Sequence, residues 1–171
     1  HAALTKANLH SPNRSIIMAN AYGLGALVLK KHSTKTAVES LRQRGKFWID
    51  TVFVKDKLFR SSDGVFAEAG GYDTSYHAVA HLLFQYYQIA FPADVEDGLA
   101  KSLMAGQWLT KRIGADGVID CTYNRRSGPG NASGDKKGSD TGTIAQCLMY
   151  WSALHGRTYG NAVALSAKGE K

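Results

Sequence analysis

Cysteine and proline are scarce in this sequence, with two and three copies among 171 residues. The cysteines, Cys121 and Cys147, form no CxxC pair, so a structural zinc site has no support. They leave two possibilities open, which are one disulfide in an oxidising compartment and two small buried thiols. Long apolar runs are also missing. The longest, residues 16–29, contains Asn20, Tyr22 and two glycines, and it is too short and too mixed to span a bilayer.

The sequence also lacks a starting methionine, because its first residue is His1. We therefore expect a processed chain or a fragment, in which no signal peptide remains to be recognised. Export stays possible, and a secreted or periplasmic location is our expectation.

Acidic residues are outnumbered by basic ones, at 14 against 21, which gives a net charge of +7. Such an excess favours an anionic partner, which is nucleic acid, anionic lipid or an acidic polysaccharide. No nucleic-acid-binding motif or basic-aromatic pattern accompanies the charge, so nucleic acid is not the expected partner. The oligomeric state is left open.

The composition is that of one globular domain covering residues 1–171, with 44% apolar and 10% aromatic residues. Apolar residues at helical spacing and helix-start signals predict an all-α fold with about five main helices. The predicted helices run from Pro12 to about Lys31, from a T-A-V-E capping box at Thr36 to about Lys55, from Asp73 or Thr74, from Pro92 to about Arg112, and from Asp140.

A loop-to-helix junction repeats along the chain. The D-G-V motif at Asp63 precedes the helix start at Asp73, and the D-G-V motif at Asp116 precedes the one at Asp140. The segment H-S-P-N-R-S, which contains Pro12, is a degenerate copy of the same junction. A repeat of this kind predicts stacked αα-hairpins with long Gly-rich loops at one end. Three junctions would then converge on a cleft floored by helix N-termini, which attract anions.

The junction D-G-V…G-G-Y-D-T-S-Y followed by an apolar helix resembles the α/α-toroid proteins that process polysaccharides. These helical-hairpin barrels include alginate and other uronate lyases and several glycoside hydrolases. The resemblance covers the organisation of residues 10–155. Five helices are fewer than such a complete toroid contains, so it implies a partial or incomplete toroid, present as an open arc or as a fragment of a larger one.

A uronate lyase needs a group that neutralises the substrate carboxylate, a base and an acid. The resemblance implies Asn, Arg, His and Tyr side chains for these tasks. The candidate catalytic residues are Tyr72, Tyr76 and His77, and the candidate substrate-binding residues are His10, Asn13, Arg14, Asp73, Asp140 and Arg125. Arg125 opens a basic loop, residues 125–137, which is interpreted as a flap over an acidic chain or as a solvated insertion.

Two alternatives to a lyase stay open. Asp73 and Asp140 would be the paired carboxylates of a glycoside hydrolase, although capping of helix N-termini explains both of them better. A non-catalytic helical module that binds a glycan or a protein is the other alternative. His77 and His81 have a spacing that can hold a metal, but no third ligand is obvious, so neither a metal nor a cofactor is expected.

Overall fold

The computed structural model describes residues 11–54, 58–67, 71–122, 124 and 140–155. Five helices contain 67% of these residues, which confirms the prediction of a mostly helical fold with five main helices. The helices are α1 (Pro12–Leu29), α2 (Lys35–Phe53), α3 (Thr74–Ala90), α4 (Gly98–Thr110) and α5 (Thr141–His155), and two short strands, β1 (Phe59–Arg60) and β2 (Val65–Phe66), lie between α2 and α3. None of the described helices combines the length and the apolarity that a membrane span requires.

Helices α1 and α3 pack side by side and run in the same direction. The side-chain amide of Asn20, midway along α1, donates a 2.9 Å hydrogen bond to the backbone carbonyl of Leu83, midway along α3. One turn later on both helices, Gly23 lies against the ring of Tyr87, and a Cβ at Gly23 would stand 3.2 Å from that ring. Contacts that advance together along both helices require a parallel pair.

Helices α3 and α5 form a second parallel pair. At their starts, the backbone N–H of Asp140 donates a 2.8 Å hydrogen bond to the hydroxyl of Ser75. Further along, the rings of Tyr86 and Tyr150 meet edge to face, with centroids 5.1 Å apart. The first, third and fifth helices therefore form one layer, with α3 in the middle and all three N-termini at the same end.

Helices α2 and α4 run the opposite way. A short connection, residues 30–34, joins α1 to α2, and the backbones approach closely where Gly45 of α2 meets Gly23 of α1. Along α3, His77 contacts Ala105, whereas His81, one turn later, contacts Ser102, which is earlier in α4. The alternation of direction along the chain agrees with the predicted stacking of αα-hairpins.

The two D-G-V motifs form the same kind of turn. Strands β1 and β2 pair in an antiparallel manner around the first motif, and an antiparallel bridge between Ile113 and Ile119 brackets the second. The glycines of the motifs, Gly64 and Gly117, have φ values of 79° and 74°, a left-handed conformation that glycine adopts at little cost. The sequence repeat therefore corresponds to a repeated backbone feature, although the two strands themselves were not predicted.

The buried apolar side chains fall into two clusters. One lies between α1, α2, α3 and the strands and is built on large aromatic residues. The other lies between α3, α4 and α5, where Trp151, Leu148 and Ile144 are fully buried. Because α3 contributes to both clusters, it is the shared wall of the core.

Two predicted helix starts were wrong. Helix α2 begins after Thr34, whose hydroxyl accepts the N–H of Ala37, so the capping box expected at Thr36 lies inside the helix. Helix α4 begins at Gly98 rather than at Pro92. Residues 92–97 form turns instead. The carboxylate of Asp94 in these turns binds side chains of other helices and does not interact with a helix dipole.

That network joins Asp94 to Arg42 of α2 and Tyr87 of α3. The Tyr87 hydroxyl donates a 2.6 Å hydrogen bond to Asp94, and the Arg42 guanidinium donates to the other carboxylate oxygen. Burial by itself would raise the pKa of Asp94, but these two donors outweigh burial and lower it. The segment before α4 is therefore fixed to two helices by one carboxylate.

Candidate functional site

The starts of α1, α3 and α5 lie at one end of the layer, together with the C-terminal end of α4 and the second D-G-V turn. We call this surface the N-terminal face, formed by the first turns of α1, α3 and α5 and by the described residues among 111–124. Of the predicted site residues, Asn13, Arg14, Tyr72, Asp73, Tyr76, His77 and Asp140 lie at these helix starts. His10 and Arg125 lie outside the described residues.

Tyr72 lies in an aromatic–arginine cluster, which we define as Tyr72, Trp108 and Arg112. The Tyr72 and Trp108 rings meet edge to face with centroids 5.0 Å apart. The Arg112 guanidinium lies 4.5 Å from the Tyr72 centroid and 5.0 Å from the Trp108 centroid, and it also pairs with Asp120 at 3.0 Å. The Tyr72 hydroxyl donates a 2.8 Å hydrogen bond to the carbonyl of Thr122. Tyr72 is half-buried, so part of this cluster remains accessible to a ligand.

Asn124 holds the start of α3 in place. Its side-chain oxygen accepts the backbone N–H of Thr74 at 3.1 Å, and its amide donates to the Thr74 hydroxyl at 2.8 Å. A parallel bridge also pairs Asn124 with Tyr72. Sequence reasoning missed Asn124, because its partners are 50 residues away and no local pattern identifies them.

The two aspartates cap helices. Asp73 is fully buried and accepts the backbone N–H of Tyr76 at 3.0 Å. Asp140 is exposed and accepts the backbone N–H of Thr143 at 3.1 Å and its hydroxyl at 2.7 Å. The capping interpretation of both residues is confirmed, and both carboxylates already have protein donors.

His77 lies in the core rather than beside an open cleft. Its Nδ1 accepts the backbone N–H of Phe66 at 3.1 Å, and its Nε2 lies 3.1 Å from the carbonyl of Ala105. An N–H can only donate and a carbonyl can only accept, so these partners fix the neutral tautomer with its proton on Nε2. Complete burial lowers the pKa of His77 to about 4. With both ring nitrogens occupied, His77 is not placed to take a proton from a substrate in this geometry.

Tyr76, the neighbour of His77, occupies the first turn of α3 and is half-buried. It retains access to solvent at the N-terminal face. Among the three predicted catalytic residues, Tyr72 and Tyr76 are both only half-buried, and a tyrosine hydroxyl has the chemistry that suits proton transfer.

At the start of α1, Asn13 is turned toward its own backbone. Its side-chain oxygen accepts the N–H of Arg14 at 2.7 Å and also meets the hydroxyl of Ser11. Arg14 is exposed. The role of Asn13 in the structure is therefore local, whereas Arg14 presents a cation at this end of the layer.

A buried polar chain, which the sequence did not suggest, runs between α3, α4 and α5. His81 lies 3.3 Å from the Cys147 sulfur through Nδ1 and 3.1 Å from the Ser102 hydroxyl through Nε2. The same hydroxyl lies 3.2 Å from Nε2 of His155, which is only partly buried. Burial, followed by the nearby His77 and His155, holds the pKa of His81 well below its usual value.

Cys147 is a structural thiol in this chain. It is fully buried, and burial raises its pKa well above the usual value, so it stays protonated and is not a nucleophile. Cys121 is partly exposed and forms no disulfide with Cys147, so the disulfide that was left open is not formed. Among the described residues, no group of three His, Cys, Asp or Glu side chains is placed to hold a metal ion.

Comparison with models of known protein families, with curated proteins and with solved structures gives no match to this chain.

Proposed function

We propose that the N-terminal face binds an acidic, uronate-containing polysaccharide and that the chain is a polysaccharide lyase-like protein. The observation that carries the proposal is the aromatic–arginine cluster beside the adjoining starts of α3 and α5. The half-buried Tyr72 offers an aromatic surface to a sugar ring, and Arg112 offers a planar cation to a carboxylate.

The surroundings of the cluster support an anionic ligand. Arg14 adds an exposed cation at the start of α1. The net charge of +7 favours encounter with a polyanion.

We also propose that the helices belong to an incomplete α/α toroid. Support comes from the parallel layer of α1, α3 and α5, from the reversed direction of α2 and α4, and from the repeated D-G-V turn. In this arrangement every odd-numbered helix delivers its first turn to one face, which is a requirement for a cleft assembled from a repeat.

Elimination would use the residues of this face in separate roles. Arg112 or Arg14 would neutralise the uronate carboxylate. Tyr76, as the phenolate, would take the proton from the carbon beside that carboxylate and, as the phenol, would give it to the leaving glycosidic oxygen. His77 would take no part in the chemistry, because both its ring nitrogens are hydrogen-bonded to backbone groups. It would instead fix the first turn of α3 and thereby the position of Tyr76.

The test is incubation with a panel of polyuronates, followed by ultraviolet absorbance, because elimination creates a conjugated double bond. We expect the absorbance to rise with at least one substrate, and Tyr76→Phe to reduce the rate on the order of a hundredfold or more while the protein stays folded. Tyr150→Phe, on α5 and half-exposed, is the matched control and should keep the wild-type rate. No rise with any polyuronate would refute the lyase activity.

A non-catalytic glycan-binding module is the second candidate, favoured by the hydrogen bonds that occupy His77 and the Tyr72 hydroxyl. It predicts binding without turnover, weakened by salt. Arg112→Gln should lower the affinity for a uronate oligosaccharide, and Arg44→Gln on α2 should not. A hydrolase is less well supported, because the buried Asp73 and Asp140, which accepts two hydrogen bonds from Thr143, both serve as caps. The appearance of new reducing ends without ultraviolet absorbance would instead support a hydrolase.

A further inference from the structure

The α1–α2 hairpin ends in a segment whose residues all reach solvent. Every residue from 27 to 37 is exposed, and this segment contains the end of α1, the connection and the start of α2. We call residues 27–37 the hairpin tip. Helix α1 has 18 residues, so the tip lies about 27 Å along its axis from the N-terminal face. It is therefore a surface separate from the proposed polysaccharide site.

The hairpin tip exposes a group of aliphatic side chains. Leu27, Val28 and Leu29 are consecutive and all exposed, with 72% of Val28 accessible to solvent. Leu24, which lies one turn earlier, extends the apolar surface on the side of Leu27 and Val28. Single exposed apolar residues are normal on a protein surface, whereas a contiguous group of them marks a contact with a partner or a membrane.

The hairpin tip is also basic and contains no acidic residue. Lys30, Lys31 and Lys35 belong to it, and Glu39 is the first acidic residue in the whole sequence. A lysine after the last turn of a helix also complements the helix dipole, but that role does not account for the exposed aliphatic side chains beside it. Aliphatic side chains followed directly by lysines are typical of a segment that lies in a membrane interface, where lysines stay among the headgroups.

Backbone hydrogen bonds order the hairpin tip. The N–H of His32 donates a 2.9 Å hydrogen bond to the carbonyl of Leu29. On the other side of the turn, Thr34 caps α2, and its carbonyl accepts the N–H of Val38 at 3.1 Å. Because the turn is already formed, its aliphatic and basic side chains are presented together, and little conformational entropy remains to be lost on binding.

We propose that the hairpin tip binds the surface of an anionic lipid bilayer, with Val28 and its aliphatic neighbours at the acyl chains and the lysines at the headgroups. The occupant follows from charge and apolarity taken together. A soluble polyanion would account for the lysines alone, and an apolar protein surface would account for the aliphatic side chains alone, whereas an anionic bilayer offers both. The exposed acids Glu96 and Asp97, in the turns before α4, lie at the same end of the layer and would be repelled, so the contact is confined to the tip.

Co-sedimentation with lipid vesicles tests the basic half of the contact. The wild type should bind vesicles of equal parts phosphatidylserine and phosphatidylcholine, and should not bind vesicles of phosphatidylcholine alone. Replacing both Lys30 and Lys31 with glutamine should lower the affinity for the anionic vesicles about 25-fold, at about fivefold for each charge. The matched control combines Arg44→Gln with Lys111→Gln, which removes two exposed charges outside the tip and should stay within about twofold of the wild type.

A pair of valine variants tests the apolar half. Val28→Ser should lower the affinity for the anionic vesicles at least about tenfold, because the valine side chain no longer leaves water on binding. Val54→Ser is the matched control, since Val54 is 60% exposed at the other end of α2, and it should bind as the wild type does. All the changed side chains are exposed, and circular dichroism verifies that each variant is folded.

Three outcomes would overturn the proposal. The first is a wild type that does not sediment with the anionic vesicles, or that sediments equally with the neutral ones. The second is a Lys30 and Lys31 double variant that binds as tightly as the Arg44 and Lys111 control. The third is Val28→Ser binding as tightly as Val54→Ser, which would mean that the tip is a contact for polyanions in general and not for a bilayer. None of these measurements involves a polysaccharide, so they are independent of the proposed function.

Discussion

Replacing His77 with alanine should destabilise the protein strongly, even though the residue lies in the first turn of a helix next to a loop. The ring is fully buried and lies 4.5 Å, centroid to centroid, from Trp108 and 5.7 Å from Phe66. The ring also accepts a hydrogen bond from the backbone N–H of Phe66 and donates one to the carbonyl of Ala105. Alanine removes the ring and both hydrogen bonds at once. Sequence alone makes His77 a candidate catalytic residue, and the burial of its ring argues against that role.

The size of the effect follows from two contributions. A buried backbone group that loses its partner costs about 1–3 kcal/mol, and two groups are affected. Removal of a buried ring adds the cost of a cavity, so we expect a total of about 4 kcal/mol. For a chain of this length, such a loss lowers the melting temperature by roughly 8–16 °C.

Thermal unfolding followed by circular dichroism measures this directly. His32→Ala is the matched control, because His32 is an exposed histidine in the connection between α1 and α2. It should change the free energy of unfolding by no more than about 0.5 kcal/mol. If His77→Ala and His32→Ala melt within 2 °C of each other, a difference of roughly 1 kcal/mol or less, the burial argument is refuted.

Three further predictions concern pH, backbone geometry and capping. The pKa of His77 is about 4 in the folded state and about 6.5 when unfolded, so the unfolded chain binds a proton at a higher pH than the folded chain. The free energy of unfolding should therefore be highest above pH 6.5 and should fall by roughly 3 kcal/mol as the pH falls toward 4, with His81 acting in the same direction. A melting temperature that is flat between pH 7 and 4.5 would contradict this. Gly64→Ala should cost about 2–4 kcal/mol, because φ is 79° and the new Cβ would lie 2.6 Å from a backbone carbon of α4. Gly25→Ala, in open space within α1, should instead stabilise by about 0.5–1 kcal/mol, and equal denaturation midpoints for the two variants would be evidence against the turn geometry. Asp73→Ala should cost about 1–2 kcal/mol in urea denaturation and Asp73→Asn clearly less, because an amide oxygen can still accept the first-turn N–H; equal losses would mean that the carboxylate does more than cap.

The starts of the three parallel helices could be predicted because their signals are local. Pro12 is suited to the first position of a helix, and Asp73 and Asp140 supply side-chain acceptors to the first turns that follow them. Each signal acts within one turn of the chain, so the sequence contains all the information that is needed. The turn glycines of the D-G-V motifs are predictable for the same reason.

The start of α4 could not be predicted in this way, because two uses competed for the same residues. Proline followed by acids is also the pattern of a helix start, which made Pro92 a reasonable candidate. In the folded chain, Asp94 binds Arg42 and Tyr87, which lie on other helices, and the helix begins only at Gly98. A tertiary partner decided the outcome, and no local window contains it.

The candidate site was predictable in position but not in detail. The repeat located the N-terminal face, whereas the burial of His77 depends on Phe66 and Ala105, which belong to a short strand and to α4. Arg112 was overlooked, since its stacking on Tyr72 joins residues 40 positions apart. Residues in one turn of a helix look alike in sequence, and only the elements packed over them distinguish a core side chain from a ligand-binding one.

The central place of α3 has a consequence for the order in which the chain folds. Helices α1 and α2 form a hairpin from neighbouring residues, but α1 meets α3 through contacts 63 residues apart, and α3 meets α5 through contacts 62 residues apart. Closing such long loops is the slow part of folding. During synthesis the α1–α2 hairpin leaves the ribosome before α3 does. The side of the hairpin that packs on α3 is therefore exposed to solvent until α3 has been made. Changes at Ala80 or Phe84 of α3 should therefore slow folding, whereas changes near the end of α2 should mainly hasten unfolding.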